Sequence, residues 1–291
     1  MPYIRVLALT ALTMIAFAGN SLLCRAALGH THIDAASFTS IRLISGALVL
    51  WLIIRLRRAN HIGKGSWRSA VALFIYAAGF SYAYISLPAS TGALLLFGAV
   101  QATMIGYGIW SGERLRAIQL AGLTLAFAGL IGLLLPGVTA PPLLGSLLML
   151  GAGVAWGVYS LRGRGAGNPI AITAGNFLRT VPIALVLSAV TFKGVSLDAD
   201  GLVYAVASGA LASGLGYAIW YTALPALKAT SAATVQLSVP VIAALGGVLL
   251  LGEHITVRLI VASIAILGGI ALVILEKRPA AGAKQIRAKQ P

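Results

Sequence analysis

Tyr84-Ile85-Ser86-Leu87-Pro88 returns 137 residues later as Tyr221-Thr222-Ala223-Leu224-Pro225, each copy closing an apolar run. A second pair follows in the same order: Ser111-Gly112-Glu113-Arg114-Leu115 and, at an offset of 140, Leu251-Gly252-Glu253-His254-Ile255. Gly129 and Gly269 keep that second offset, Arg42 and Arg179 keep the first, and Phe17 with Arg25 recurs as Trp156 with Arg164 at the same internal spacing. Landmarks that repeat in order, apart from one short insertion, mark two copies of one unit. The expected division is residues 4–135, residues 143–275 and a basic tail over 277–291.

What surrounds these landmarks decides the solvent. Of the 291 residues, 59% are hydrophobic and 9% charged, where a soluble domain carries about 25% charge. With a mean hydropathy of +0.96, too little charge is available to cover a soluble globule. In lipid the backbone must satisfy its own hydrogen bonds, so only helices or a closed barrel can span it. The apolar runs here are about 20 residues long, the length of a helix crossing a bilayer and not of a barrel strand. The expected fold is therefore all-α and integral to the membrane, with spans near 4–24, 35–55, 67–86, 90–110, 117–135, 143–161, 170–191, 201–222, 227–250 and 256–275. Arg5 and the triplet Ala16-Phe17-Ala18 imitate a cleaved signal peptide. The apolar run continues through Leu22, Leu23 and Cys24, however, so the first helix is expected to stay.

Charge then gives an orientation. With the N-terminus inside, sixteen Lys and Arg residues fall in cytoplasmic segments, and only Arg25, Lys193 and Arg258 fall outside, beside Asp34, Asp198, Asp200 and Glu253. The positive-inside rule then predicts a multi-pass inner-membrane protein with both termini cytoplasmic. The net charge of +15 accordingly reports topology, and no nucleic-acid partner is expected, since the basic groups form no stripe interleaved with aromatics. Five spans per copy is an odd number, so the second copy is expected upside down relative to the first. One cysteine, Cys24, excludes an internal disulfide and a cysteine-rich metal site.

The aromatic-small-polar start from Phe17 to Asn20, Arg42 in the second span, Leu-Pro before the fourth and Gly-Glu between fourth and fifth resemble the drug/metabolite transporter superfamily in its ten-helix, two-repeat EamA-type branch. The resemblance covers about residues 8–275. Within that superfamily, length, short loops and aromatic content look most like the aromatic amino acid exporters. That likeness implies export of amino acids from the cytoplasm by alternating access. Val100 departs from the pattern, because the first copy lacks the proline that Pro240 supplies in the second.

Several intramembrane polar and aromatic residues are candidates for a substrate cavity. Gln101 and Gln236 lie near equivalent places in the two copies and offer donors and acceptors without charge, as do Asn20 and Asn176; all four can equally serve as interhelical glue. Pro240, inside its span, is expected to kink the helix and free a carbonyl. Tyr76, Phe80 and Tyr84 share one helical face, Tyr217 and Trp220 with Tyr221 another, and Trp156 with Tyr159 a third. Such faces can line a cavity that holds apolar or aromatic side chains, or form an interfacial belt, as expected of Trp51, Trp67 and Trp110. Arg42 lies about 10 Å from the outer end of its span and Arg179 about 13 Å from the inner end of its own, counting 1.5 Å per residue. Intramembrane charges want partners, so Arg42 is expected near Glu253 and Arg179 near Glu113, as gates on opposite sides, with snorkelling or carbonyl bonds as the alternative.

All four histidines fall in loops and none of the six carboxylates lies at mid-membrane. Facilitated export is therefore expected in place of obligatory proton antiport. No cofactor and no metal are expected. Efflux of drugs or other small metabolites by proton antiport is the rival within transport, and a non-transporting structural or sensory protein the rival from another class. An enzyme is not expected, since neither His-Glu-x-x-His nor paired intramembrane aspartates occur. The expected partners are amino acids and the lipid bilayer, with a monomer and a homodimer equally open.

Overall fold

The computed structural model describes residues 2–56, 65–112, 114–137, 139–163, 168–227 and 235–275. Ten helices run through them: α1 (Tyr3–His30), α2 (Ala35–Leu56), α3 (Trp67–Tyr84), α4 (Ala89–Trp110), α5 (Ala117–Leu134), α6 (Leu143–Arg162), α7 (Pro169–Val190), α8 (Ala199–Ala226), α9 (Ser238–Leu251) and α10 (Val257–Leu275). Eight of them, all but α3 and α9, are long and apolar enough to cross a bilayer. The chain is an all-α integral membrane protein.

Helix ends follow local chemistry. α1 runs well past the expected residue 24, because Arg25 is neutralised from other helices and need not reach water. α4 and α9 both stop at the Gly-Glu pairs of the repeat. Gly112 and Gly252 have φ of 91° and 65°, the left-handed conformation that lets the chain turn back over the last carbonyls. The ninth span was expected from residue 227; residues 228–234 lie outside the described residues, Val235 and Gln236 are helical, and after a turn at Leu237 α9 runs from Ser238. Pro240 lies in the first turn of α9, just after the break at Leu237 that separates it from the helical residues Val235 and Gln236.

Packing pairs α5 with α10, α2 with α7, α4 with α9, α3 with α6 and α1 with α8, and it also sets α4 on α6, α1 on α9, α2 on α8 and α3 on α7. Exchanging each helix with the one five places along leaves this set of pairings unchanged. Between α5 and α10, a Cβ on Gly122 would overlap the Gly269 carbonyl, and one on Gly129 would overlap Ala265. Small residues let helices approach closely in lipid, where no hydrophobic force drives them together.

Two sets of contacts mark the ends of the bundle. At one, Asp34 caps α2 by accepting from the Ala36 and Ser37 N–H groups at 3.0 and 2.9 Å, and its other oxygen accepts from Ser196 N–H at 3.0 Å, ahead of α8. Burial pushes the Asp34 pKa up, but hydrogen bonds from the Ser37 side chain and these N–H groups outweigh it and hold it below the ordinary 3.8. Arg258 donates to Leu135 O at the same end. At the end carrying the N-terminus, Gly65, with φ of 51°, sits against Gly175 on α7, and Arg162 donates to Ser69 at 3.2 Å.

Candidate functional site

Midway between those ends the aromatic faces meet. Tyr76 of α3 lies 4.7 Å from Trp156 of α6 between ring centroids, and Trp156 stacks on Tyr217 of α8 at 5.2 Å with 21° between planes. Phe17 of α1 packs edge-on against Tyr217 and Trp220 at 5.7 and 6.2 Å, and Phe177 of α7 reaches Tyr217 at 5.9 Å. Phe80 extends the series to Tyr76 at 5.5 Å and Tyr84 at 4.8 Å. Tyr159 stacks on Trp156 at 5.4 Å, and Tyr221 packs against the same core. The rings of Tyr76, Phe80, Tyr84, Tyr159, Tyr217 and Trp220 are thus buried inside the bundle and not set in a lipid-facing belt, whereas Trp51, Trp67 and Trp110 are exposed. Each such aromatic pair adds about 0.5–1.5 kcal/mol beyond its burial.

Polar atoms thread this cluster. The Ser208 hydroxyl donates to Asn20 Oδ1 at 2.6 Å, and Asn20 Nδ2 donates to Tyr76 Oη at 3.3 Å. Ser208 opens a π-helical segment, Ser208–Leu215, within α8. This wider turn seats Gly209 against α2, where any Cβ would overlap the Arg42 carbonyl and the Ser45 hydroxyl. π-bulges recur at functional sites because they re-aim side chains within a continuous helix. On the other side of the rings, Asn176 Nδ2 donates to Tyr159 Oη at 3.3 Å, and Asn176 Oδ1 accepts from Ser66 N–H at 2.8 Å.

Arg42 enters from α2. Its Cζ lies 4.8 Å from the Phe80 centroid and 5.2 Å from that of Tyr76, and the residue is 2% exposed. Its Nη1 has no hydrogen-bond partner among the described residues. A desolvated cation–π contact contributes about 2 kcal/mol. Withdrawing a charge from water costs several kcal/mol, so the rings do not offset its burial.

The expected pairing of Arg42 with Glu253 does not form. Glu253 instead faces Arg25, Nε to Oε1 being 3.8 Å, and accepts from Ala89 N–H at 2.6 Å and Ser90 N–H at 3.4 Å, capping α4. Arg25 also donates to the Tyr84 and Ile85 carbonyls at 3.0 and 3.1 Å, joining the ends of α1 and α3. Register along a helix gives depth but not the neighbouring helix, and the unclaimed N–H groups at the start of α4 attract a carboxylate more directly than a distant arginine does. Arg179 donates to its own Gly175 carbonyl at 2.9 Å and lies 6.0 Å from the Trp67 ring. Glu113, its expected partner, lies outside the described residues, as do Arg164 and the tail 277–291.

Gln101 is buried in α4, and Gln236 is half-buried just before the turn at Leu237. Pro240 joins Ser90, Leu94, Ala244, Leu259 and Ser263 around an apolar hollow of about 230 Å³ between α4, α9 and α10, apart from the aromatic cluster. Among the described residues no three of His, Cys, Asp and Glu gather as a metal site. Reading the sequence missed Arg25, Ser208 and Phe177 as members. The recurrence of Arg25 as Arg164 was the available signal, while a serine or phenylalanine in an apolar span carries none.

Comparison with known proteins puts this geometry in a lineage. The chain is 59% identical over 275 residues to the uncharacterized protein PA1977 of Pseudomonas aeruginosa, covering 94% of this chain and 96% of that one. It is 32% identical over 149 residues to the threonine/homoserine exporter RhtA of Salmonella typhimurium, spanning 48% of this chain and about half, 49%, of the exporter. One solved crystal structure superposes over 97% of this chain and 99% of its own with a TM-score of 0.66 at 19% identity, a likeness of fold alone. The model of the EamA-like transporter family matches residues 143–275. That family is one of transporters and not of enzymes. Residues 143–275 of the chain thus match the EamA-like transporter family, and the chain as a whole is similar to PA1977.

Proposed function

We propose that this transporter exports amino acids, aromatic and other apolar or neutral ones, from the cytoplasm across the inner membrane by alternating access. The observation that carries the reading is the aromatic cluster. Rings from α1, α3, α6, α7 and α8 meet at one place between the ends of the bundle, threaded by Asn20, Ser208 and Asn176. Such a place takes an apolar side chain by burial and stacking, and an amino acid's polar ends by hydrogen bonds. The partial likeness to a threonine/homoserine exporter supports the substrate class.

In this reading residues 4–135 and 143–275 are inverted repeats, a division supported by the exchangeable helix pairings. The two copies can then trade conformations, which makes inward and outward openings nearly equal in energy. Both termini are cytoplasmic, so the Arg25–Glu253 contact guards the outer end and the Ser66–Asn176 contact the inner one. No described carboxylate lies among the rings, which favours facilitated export over proton antiport. The test is counterflow of labelled phenylalanine and threonine in proteoliposomes. The reading expects transient accumulation with either amino acid, unaffected by an imposed pH gradient; uphill accumulation driven by that gradient would refute facilitated transport.

A further inference from the structure

We propose that Arg42 anchors the substrate's carboxylate, so that the transporter selects zwitterionic amino acids over amines and cationic drugs. The assignment rests on the amino-acid reading above and deepens it. Arg42 is almost wholly buried, its Nη1 is unpartnered, and no carboxylate comes within ion-pair distance of it among the described residues. A guanidinium held off water without a counter-ion is a receptor for an anion, and its planar fork matches a carboxylate with two parallel hydrogen bonds.

The anchor is also held in place and well furnished. Gly209 and the Ser45 hydroxyl lock the Arg42 backbone from one side, and the rings of Tyr76 and Phe80 lie beside the guanidinium on the other. Tyr76 connects the cation to the neutral polar pair Asn20 and Ser208, which can accept from an ammonium group without a full charge of their own. Trp156, against the same tyrosine, adds an aromatic ring to the surroundings of the cation. The equivalent arginine of the second half, Arg179, donates to the Gly175 carbonyl and lies over Trp67. Of this pair, Arg42 alone has a buried nitrogen without a partner among the described residues. A positive charge at the site also repels a substrate that brings only a cation, which supplies the negative half of the selectivity.

The test uses the full chain in proteoliposomes, with labelled phenylalanine as substrate and four competitors: phenylalanine amide, phenethylamine, 3-phenylpropionate and inorganic phosphate. Phenylalanine amide and phenethylamine, which lack the carboxylate, are expected to compete about tenfold or more weakly than phenylalanine, since each leaves a buried cation unpaired. 3-Phenylpropionate, which keeps the carboxylate, is expected to compete. Tryptophan fluorescence titrations in detergent should show Arg42→Gln losing the preference for phenylalanine over its amide and Arg42→Lys retaining part of it. Equal competition by phenylalanine and its amide on the wild type overturns the anchor while leaving the amino-acid reading intact. Phosphate competing more strongly than any amino acid overturns the carboxylate assignment. Failure of the wild type to move either phenylalanine or threonine overturns the amino-acid reading and the anchor with it. The analogue series on the wild type decides the matter even where Arg42→Gln does not fold.

Discussion

Arg25 Nε lies 3.8 Å from Glu253 Oε1, and that contact ties the end of α1 to the turn after α9 and, through the carboxylate, to the first N–H groups of α4. The cap matters more than the ion pair. The pair is long and partly exposed, worth less than about 1 kcal/mol. Glu253→Ala should lower stability by about 1–3 kcal/mol, since charge-assisted caps exceed neutral ones, and Glu253→Gln by about half of that. Thermal unfolding in detergent, with a double-mutant cycle against Arg25→Gln, should return a coupling below about 1 kcal/mol.

Asp34 makes a pH prediction. Its folded pKa is depressed, so it contributes stability that is fully present above the ordinary value of 3.8 and is lost as pH falls through the lower folded value. The wild type should therefore lose stability on acidification below about pH 4, and Asp34→Asn should show a smaller acid loss from a lower starting point. Melting temperatures read between pH 3 and pH 7 check this, and parallel profiles for the two proteins would contradict it.

Gly209 and Gly151 separate steric need from helix propensity. A Cβ at Gly209 overlaps the α2 backbone, so Gly209→Ala should destabilise by about 1–3 kcal/mol through overpacking. Nothing lies within 4 Å of a Cβ at Gly151, and Gly151→Ala in α6 should stabilise by about 0.5–1 kcal/mol. Unfolding midpoints of the two variants should move in opposite directions.

Asn20 joins Ser208 to Tyr76, and Asn20→Ala leaves a buried hydroxyl without its acceptor. The expected loss is about 1–3 kcal/mol of stability, together with weaker amino-acid binding in fluorescence titrations. Ser208→Ala in the same background should add little, because its partner is already gone.

Where the spans lie was legible, since apolar length and backbone hydrogen bonding leave a lipid-embedded chain few options. The aromatic faces were legible too: Tyr76, Phe80, Trp156 and Tyr217 stand at helical spacings that put each set on one side of its helix. What each face meets was not. Arg42 was expected to pair with Glu253 on depth and repeat symmetry alone, but its neighbours are Tyr76 and Phe80, and Glu253 goes to the nearer helix start. The π segment at Ser208–Leu215 depends on Gly209 meeting Ser45 and Arg42 on another helix, a steric fact with no local signature. The helical run breaks at Leu237, shortly before Pro240, the place where the proline was expected to kink its span.

Transport by this protein requires the two ends of the bundle to open in alternation around the aromatic cluster, and side-specific labelling tests that directly. With Cys24 replaced by Ala, single cysteines at Ser90, beside Glu253, and at Ser69, beside Arg162, would be probed with a membrane-impermeant maleimide applied from each side. Glu253→Gln should raise labelling at position 90 from outside and lower labelling at position 69 from inside. Both positions labelled from the same side, or both becoming reactive together, would contradict the account.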